Sequence, residues 1–333
     1  MVVKGPDNTS PLPQAEPPQL RPATFAEYIG QENLKNQLRV IMGAAKKRGE
    51  PLEHLLFYGN SGLGKTTLAH VIGNDMGVTL RIAAGPSLER AGDIASLLTS
   101  LEEGDILFLD ECHRVPKPVL EMLYSAMEDF KLHLVIGKGP MARTMELEIP
   151  RFTLIGATTR MAQLPSPFRN RFGAIFHISF YTPEDMEHIV KRSASILGME
   201  LDAKAVRMLA ASSRLTPRVA NRLLRRVRDF ASIEEAAAIT ADLVKKALEF
   251  LEIDEWGLEQ TDRRILEILV QKFKGGPVGI QALASALSEE EETLLDVYEP
   301  FLMRLGFIER TPKGRIATPL VYKHLKLPIR AIL

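Results

Sequence analysis

Apolar residues along the chain gather in short runs, separated by stretches in which they return every three or four positions. The runs at 55–58, 80–84, 106–109, 152–157 and 175–178 are rich in Leu, Ile, Phe and Ala, as buried strands are. Between them the spacing turns helical. Leu34, Leu38, Ile41, Met42 and Ala45 share one face, and Gly49 with Pro51 closes that helix. Thr24-Phe25-Ala26-Glu27 reads as a capping box ahead of it. Further helices are predicted from Thr66, over 93–101, and around Met122, Leu123, Ala126 and Met127. Strands alternating with helices predict an open α/β fold with a parallel sheet, whose ligands sit beyond the carboxyl ends of the strands.

Residues 131–149 break that alternation. Leu132, Leu134 and Ile136, a turn at Gly137-Lys138-Gly139-Pro140, then Met145, Leu147 and Ile149 spell a β-hairpin. It either folds back on the core or projects an apolar face toward a partner. After Pro183 the strand pattern stops, and helices are predicted over 183–197, 203–212, from Thr216-Pro217 (N-cap, then Pro at the first helical position) and over 241–251. From 254 a third unit follows: helices over 262–273, 280–287 and 291–305, then a hairpin about the turn Thr311-Pro312-Lys313-Gly314. Three helices and a hairpin wing read as a winged helix. The expected division is a Pro-rich extended arm at 1–19, an α/β domain at 20–182, a small helical domain at 183–253 and a winged-helix domain at 254–333.

Composition narrows the setting. Lys and Arg total 42, as do Asp and Glu, so overall charge implies neither nucleic acid nor membrane. A local patch does exist: residues 301–333 hold seven Lys/Arg against the single acid Glu309, a net +6 that suits a phosphate backbone. One cysteine, Cys112, excludes an intrachain disulfide and fits a reducing cytoplasm. No apolar run reaches membrane-spanning length, and no His/Cys set has zinc-ligand spacing.

The chemistry starts at Gly59-Asn60-Ser61-Gly62-Leu63-Gly64-Lys65-Thr66, which fits the phosphate loop G-x-x-x-x-G-K-[ST] between a strand and a helix. Its glycines let backbone N–H groups turn toward phosphate oxygens, Lys65 adds charge, and the Thr66 hydroxyl is a ligand for Mg²⁺. The pair Asp110-Glu111 ends the strand at 106–109, as a Walker B pair does. Asp110 would serve the Mg²⁺ site, through water, and Glu111 would activate the attacking water. Asp110-Glu111-Cys112-His113 also spells the box of the two-lobed helicases, but no second α/β lobe follows. Cys112 reads as a small core residue and His113 as a packing or supporting residue. Thr159, just past a strand, is placed to bond a γ-phosphate or a water. Arg169 and Arg171 lie in a turn, where an arginine can reach a neighbouring subunit as a trans finger. Arg218 opens the helix after Pro217, within reach of phosphate.

With these residues in line the chain resembles the RuvB family, the bacterial Holliday-junction branch-migration motors of the AAA+ class. The resemblance runs from about residue 20 to 325. It rests on Leu20-Arg21-Pro22, Tyr28-Ile29-Gly30-Gln31-Glu32, the phosphate loop, Ala126-Met127-Glu128-Asp129-Phe130, Leu154-Ile155-Gly156-Ala157-Thr158-Thr159-Arg160, Arg171-Phe172-Gly173, Phe180-Tyr181-Thr182-Pro183-Glu184, the arginine-rich run from Thr216 to Phe230, and Asp296-Val297-Tyr298-Glu299-Pro300. It implies an α/β AAA+ P-loop ATPase with a helical lid and a C-terminal winged helix. Leu20, Arg21, Ile29 and Tyr181 would enclose adenine. Gly62, Gly64, Lys65, Thr66 and Thr67 would take phosphates and Mg²⁺. Thr159 would be the sensor-one residue, Arg171 the trans finger and Arg218 the sensor-two arginine, while Glu128, Asp129 and Phe130 would lie near the nucleotide of an assembled ring. Arg310 and Arg315 would contact DNA from the wing. The hairpin at 131–149 would dock RuvA, and RuvC would join a resolving complex around a homohexamer acting in recombination, repair and the SOS response. Two departures stand out against the family: Asn60-Ser61 replaces two prolines, which loosens the loop, and Cys112 replaces isoleucine. A clamp loader or replication initiator shares the core and the winged helix but gives no reason for the hairpin; a non-catalytic ATP switch gives none for the intact Lys65, Asp110, Glu111, Thr159 and Arg171.

Overall fold

A computed structural model describes residues 20–136, 143–236 and 238–327. Helix α1 (Glu32–Arg48) leads into β1 (Leu55–Tyr58), α2 (Lys65–Met76), β2 (Leu80–Ala84), α3 (Ala91–Thr99), β3 (Ile106–Asp110) and α4 (Lys117–Glu128). The hairpin β4 (Lys131–Ile136) and β5 (Arg143–Glu148) follows, then β6 (Thr153–Thr158), the short α5 (Ser166–Arg169) and β7 (Ala174–His177). The expected parallel sheet is present, in the order β2-β3-β6-β1-β7. The central strands β1, β3 and β6 are buried along nearly their whole length, whereas β2 and β7 are partly exposed at the edges. Strand β6 is inserted between β1 and β3. Three loop-bearing carboxyl ends therefore lie side by side, with that of β6 in the middle.

Thr24 to Glu27 does not cap a helix. The segment forms a turn in which the N–H groups of Glu27 and Tyr28 both donate to the Thr24 carbonyl, and α1 starts only after Gln31. Gln31 itself is left-handed (φ 55°), so the chain changes direction there before the helical spacing takes effect. At the other end of α1, Gly49 (φ 67°) caps the helix, with Lys46, Lys47 and Arg48 in its last turn facing the negative pole of the dipole.

The hairpin pairs only with itself among the described residues. Its base is anchored in the core by Leu132, fully buried, while Leu134 and Leu147 pack against that core and Met145 is 44% exposed. The turn at 137–142 lies outside the described residues, as do the arm at 1–19 and the tail at 328–333.

Helices α6 (Pro183–Ile196), α7 (Ala203–Ala211), α8 (Pro217–Ile233) and α9 (Ala241–Phe250) form the lid. Their apolar faces do not make a separate core. Val206, Leu223, Val227 and Val244 join one continuous cluster with Leu38, Phe57, Leu68 and Ile72 of the α/β part. The third unit has its own core, built from Leu266, Leu269, Leu302, Phe307 and Tyr322. It comprises α10 (Gln260–Gln271), α11 (Ile280–Leu287), α12 (Glu291–Thr293), α13 (Glu299–Arg304), the wing strands β8 (Ile308–Thr311) and β9 (Gly314–Ala317), and α14 (Pro319–His324). The single helix expected at 291–305 is interrupted by a π-helical turn at Leu294–Tyr298, and α14 was not foreseen from the sequence.

Candidate nucleotide and nucleic-acid sites

The phosphate loop leaves β1 and enters α2 with Gly62 (φ 80°) and Gly64 (φ 99°) in conformations that side chains resist. A Cβ placed on Gly62 would come within 3.2 Å of the Arg218 Cβ, so the lid helix α8 lies directly over the loop. Arg218 Nη1 donates to Ser61 Oγ at 3.2 Å, a bond that exists because serine stands there. Lys65 is buried, and its ammonium donates to the carbonyls of Gly59 (2.7 Å) and Asn60 (2.8 Å). Burial pulls the Lys65 amine down to about 8; Asp110 counters that and Arg218 adds to it. An anionic ligand would restore the charge that burial disfavours. Thr66 and Thr67 sit half-buried in the first turn of α2.

Asp110 ends β3 and Glu111 follows, exposed and left-handed (φ 48°). At that backbone turn Asp110 Oδ1 accepts from the Glu111 N–H at 2.9 Å, while Glu111 Oε2 accepts from Arg114 Nη1 at 3.4 Å. Gly85 makes the turn possible, since a Cβ there would lie 2.4 Å from the Glu111 carbonyl. Cys112 is fully buried in the core, and burial pushes its thiol up to about 12, so it stays an unreactive packing residue. His113 Nδ1 lies 3.0 Å from Thr158 Oγ1, tying the acid loop to the end of β6. Thr159 is the next residue, half-buried, at the middle of the three aligned strand ends.

An apolar slot opens beside the loop between the α/β part and the lid. Leu20, Ile29, Gly64, Thr67 and Tyr181 line it, as do Pro22, Tyr28, Ile189, Pro217 and Asn221, which the sequence reading missed. The Tyr181 hydroxyl lies 3.1 Å from both the Leu63 carbonyl and the Tyr28 hydroxyl, which fixes the slot wall to the loop. Arg21 lies outside the slot's lining and pairs with His70 Nε2 at 3.0 Å. Arg192 of α6 instead bonds the Leu20 carbonyl and Glu27, holding the incoming chain to the lid.

Arg171 belongs to a separate cluster that does not line this cleft. Its guanidinium bonds Glu128 Oε2 (2.8 Å) and the Pro167 carbonyl (2.7 Å), and stacks 4.5 Å from the Tyr124 ring. Glu128 and Asp129 are exposed beside it. Phe130 turns inward against Phe152, edge to face at 6.1 Å. His54 holds this corner. Its Nδ1 accepts from the Leu154 N–H, so Nε2 carries the proton and donates to the Met127 carbonyl at 3.0 Å.

On the wing, Arg310 and Arg315 are direct cross-strand partners, a like-charge pair that would repel unaided. Glu299, buried at the start of α13, resolves this by accepting from both guanidinium groups at 2.8–3.3 Å. Arg310 remains 53% exposed, but Arg315 is only 12% exposed. In the sequence Glu299 is one residue of the run Asp296-Val297-Tyr298-Glu299-Pro300, and nothing in its spacing announces its two partners.

A parallel sheet with β6 between the phosphate-loop and acid strands, capped by a helical lid that reaches over the loop, defines a P-loop ATPase of the AAA+ class. Family profiles make this specific. "Holliday junction DNA helicase RuvB P-loop domain" matches residues 20–178, "RuvB AAA lid domain" 181–254 and "RuvB C-terminal winged helix domain" 255–326. The Holliday junction branch migration complex subunit RuvB of Dehalococcoides mccartyi is 54% identical over 309 residues, which cover 93% of this chain and 88% of that one. Its counterpart in Oleidesulfovibrio alaskensis is 53% identical over 92% of this chain and 96% of its own. The solved Thermotoga maritima RuvB Holliday junction branch migration motor superposes with a TM-score of 0.86 at 47% identity, covering 94% of this chain and all of that one. The chain belongs to the RuvB family. Among the described residues no helix is long and apolar enough to cross a membrane.

Proposed function

We propose that this chain is the ATP-driven motor of Holliday junction branch migration, translocating duplex DNA from within a homohexameric ring in the cytoplasm. The observation that carries the reading is the division of the arginines: Arg218 hangs over its own phosphate loop, while Arg171 sits with Glu128 in a cluster outside that cleft. A site built this way needs a neighbouring subunit to complete it.

In this reading adenine enters the slot beside Leu20, Ile29 and Tyr181, and Lys65, Thr66 and Thr67 hold the phosphates. Thr66 and Asp110 offer hard oxygen donors of the kind Mg²⁺ shares with phosphate and water, and that ion would neutralise charge developing at the β- and γ-phosphates. Glu111 accepts a proton from the attacking water, Thr159 orients it, Arg218 senses the phosphates, and Arg171 of the adjacent subunit stabilises the transferring phosphoryl group. Glu128 and Asp129 form the surface next to that arginine, with Phe130 packed behind them. Arg310 contacts the DNA backbone, with Arg315 behind it. RuvA docks on the hairpin at 131–149 and holds the four-way junction, and RuvC joins to resolve it during recombinational repair and the SOS response.

The test is migration of a synthetic four-way junction in ATP and Mg²⁺, with and without RuvA. Strand exchange that requires ATP and rises with RuvA is expected. Brisk ATP hydrolysis with no junction movement would discard the motor and favour a clamp-loader or initiator role.

A further inference from the structure

Arg160 and Asp296 stand 136 residues apart, neither has a part in the chemistry above, and they meet. The Arg160 fork bonds Asp296 three times, Nε at 3.1 and 2.9 Å and Nη2 at 2.7 Å, and its Nη1 adds Glu292 at 3.0 Å. The Arg160 side chain is mostly buried in this contact. Its main-chain N–H donates to Thr158 Oγ1 at 2.9 Å, and that same oxygen lies 3.0 Å from His113 Nδ1, two residues beyond Glu111. Thr159 is enclosed between Thr158 and Arg160. The end of β6 is thus tied on one side to the acid loop and on the other to the third domain.

Asp296 lies in the π-helical turn at Leu294–Tyr298. Within the same turn the Val297 carbonyl accepts from Arg214 Nη2 at 3.3 Å, bringing in the lid. One residue past the turn, Glu299 takes both wing arginines. A short run therefore carries one carboxylate facing the α/β sheet and another facing the wing. We propose that Arg160 and Asp296 are positioning residues that couple the occupant of the nucleotide cleft to the wing's grip on duplex DNA.

The physical argument is directional. A guanidinium fork on a carboxylate tolerates little misalignment, so a shift of Thr159 toward phosphate moves Arg160 and must either carry Asp296 or break the pair. A π-turn holds one residue more than the α-helical register needs, and such turns recur at functional sites. Displacement of Asp296 shifts that turn and passes to Glu299, three residues on, which sets where Arg310 points. The inference goes beyond the proposed motor and rests on its assignment of the cleft to ATP.

The experiment uses the full chain and a fluorescent duplex, with affinity measured in ADP and in a slowly hydrolysed ATP analogue. The native chain should show affinities that differ by about fivefold or more between the two nucleotides. Asp296→Asn should bring the two within about twofold, with affinity in ADP and the thermal midpoint close to native. Arg160→Lys, which keeps the charge and loses the fork, should give an intermediate ratio. The exchanged pair Arg160→Asp with Asp296→Arg should recover part of it. A native-sized ratio in Asp296→Asn overturns the proposal. So does a native chain that drives junction migration while its duplex affinity ignores the nucleotide, and that result leaves the motor standing. A ratio that depends on Asp296 in a chain that never moves a junction upholds the coupling and sinks the motor.

Discussion

The arginines of the nucleotide cleft and those where the winged-helix unit, the head, meets the rest of the chain are held in different ways. Arg218 makes one 3.2 Å bond, to a serine hydroxyl at the rim of the cleft. At the junction, Arg160 spends its fork on Asp296 and Glu292, and Arg214 bonds Asp262 and the Val297 carbonyl. An arginine left to meet a ligand is under-bonded. One that fixes the relation of two domains has its donors occupied by carboxylates of the other domain. Arg171 and Arg310 fall between, each paired with a carboxylate yet partly exposed.

The largest effect expected from this contrast is at Arg171. Arg171→Ala should lower ATP turnover about 1,000-fold or more while ATP binding persists. Mixed with Glu111→Gln subunits it should regain measurable turnover, because intact Glu111 and intact Arg171 then meet at some interfaces. Absence of any regain in steady-state assays would remove the trans assignment and leave Arg171 as an internal ion pair.

Next in size is Arg214. Its partner Asp262 is fully buried, and burial raises the carboxyl to about 6 even though Arg214 pulls the other way. Arg214→Ala strands that carboxylate and should cost about 3–5 kcal/mol in denaturant unfolding of the head. A loss below about 1 kcal/mol would mean the pair does not hold the junction. The sign with pH follows from a folded value above the unfolded 3.8. The protonated acid favours the folded state, so this contribution is fully present below about 4 and is lost as pH rises through about 6. Asp262→Asn should abolish that slope; a native slope in the variant would assign it to another group.

The smallest effect separates the two wing residues. Arg310→Ala should reduce the slope of log affinity for duplex against log salt by about one phosphate contact. Arg315→Ala should leave the slope nearly unchanged, since its side chain is spent on Glu299. The reverse result would move the phosphate contact to Arg315.

The same contrast explains what the sequence made legible. The phosphate loop, Asp110-Glu111 and Thr159 follow apolar runs, so local pattern locates each at a strand end. Pattern does not say that β6 enters between β1 and β3, because strand order is decided by crossovers. The slot residues Tyr28, Pro217 and Asn221 were missed since they come from a turn before α1 and from the lid helix α8, which only packing unites. Asp262, Asp296 and Glu299 look like ordinary helix-surface acids in sequence; their partners lie 48, 136 and 11–16 residues away, at no helical or strand period. The Thr24–Glu27 box misled because its acid bonds Ala23 and Arg192 rather than opening a helix.

The lid and the α/β part share one apolar core, while the head has its own core and is joined to them by forked ion pairs, Arg160–Asp296 and Arg214–Asp262. Apolar contact is non-directional, so two such surfaces can slide a little at small cost. A fork on a carboxylate resists the same displacement. The chain is therefore compliant where the nucleotide slot opens and stiff where the head attaches. In a machine of this kind the soft seam takes up the stroke and the stiff joint delivers it, as a lever passes force only through a rigid arm.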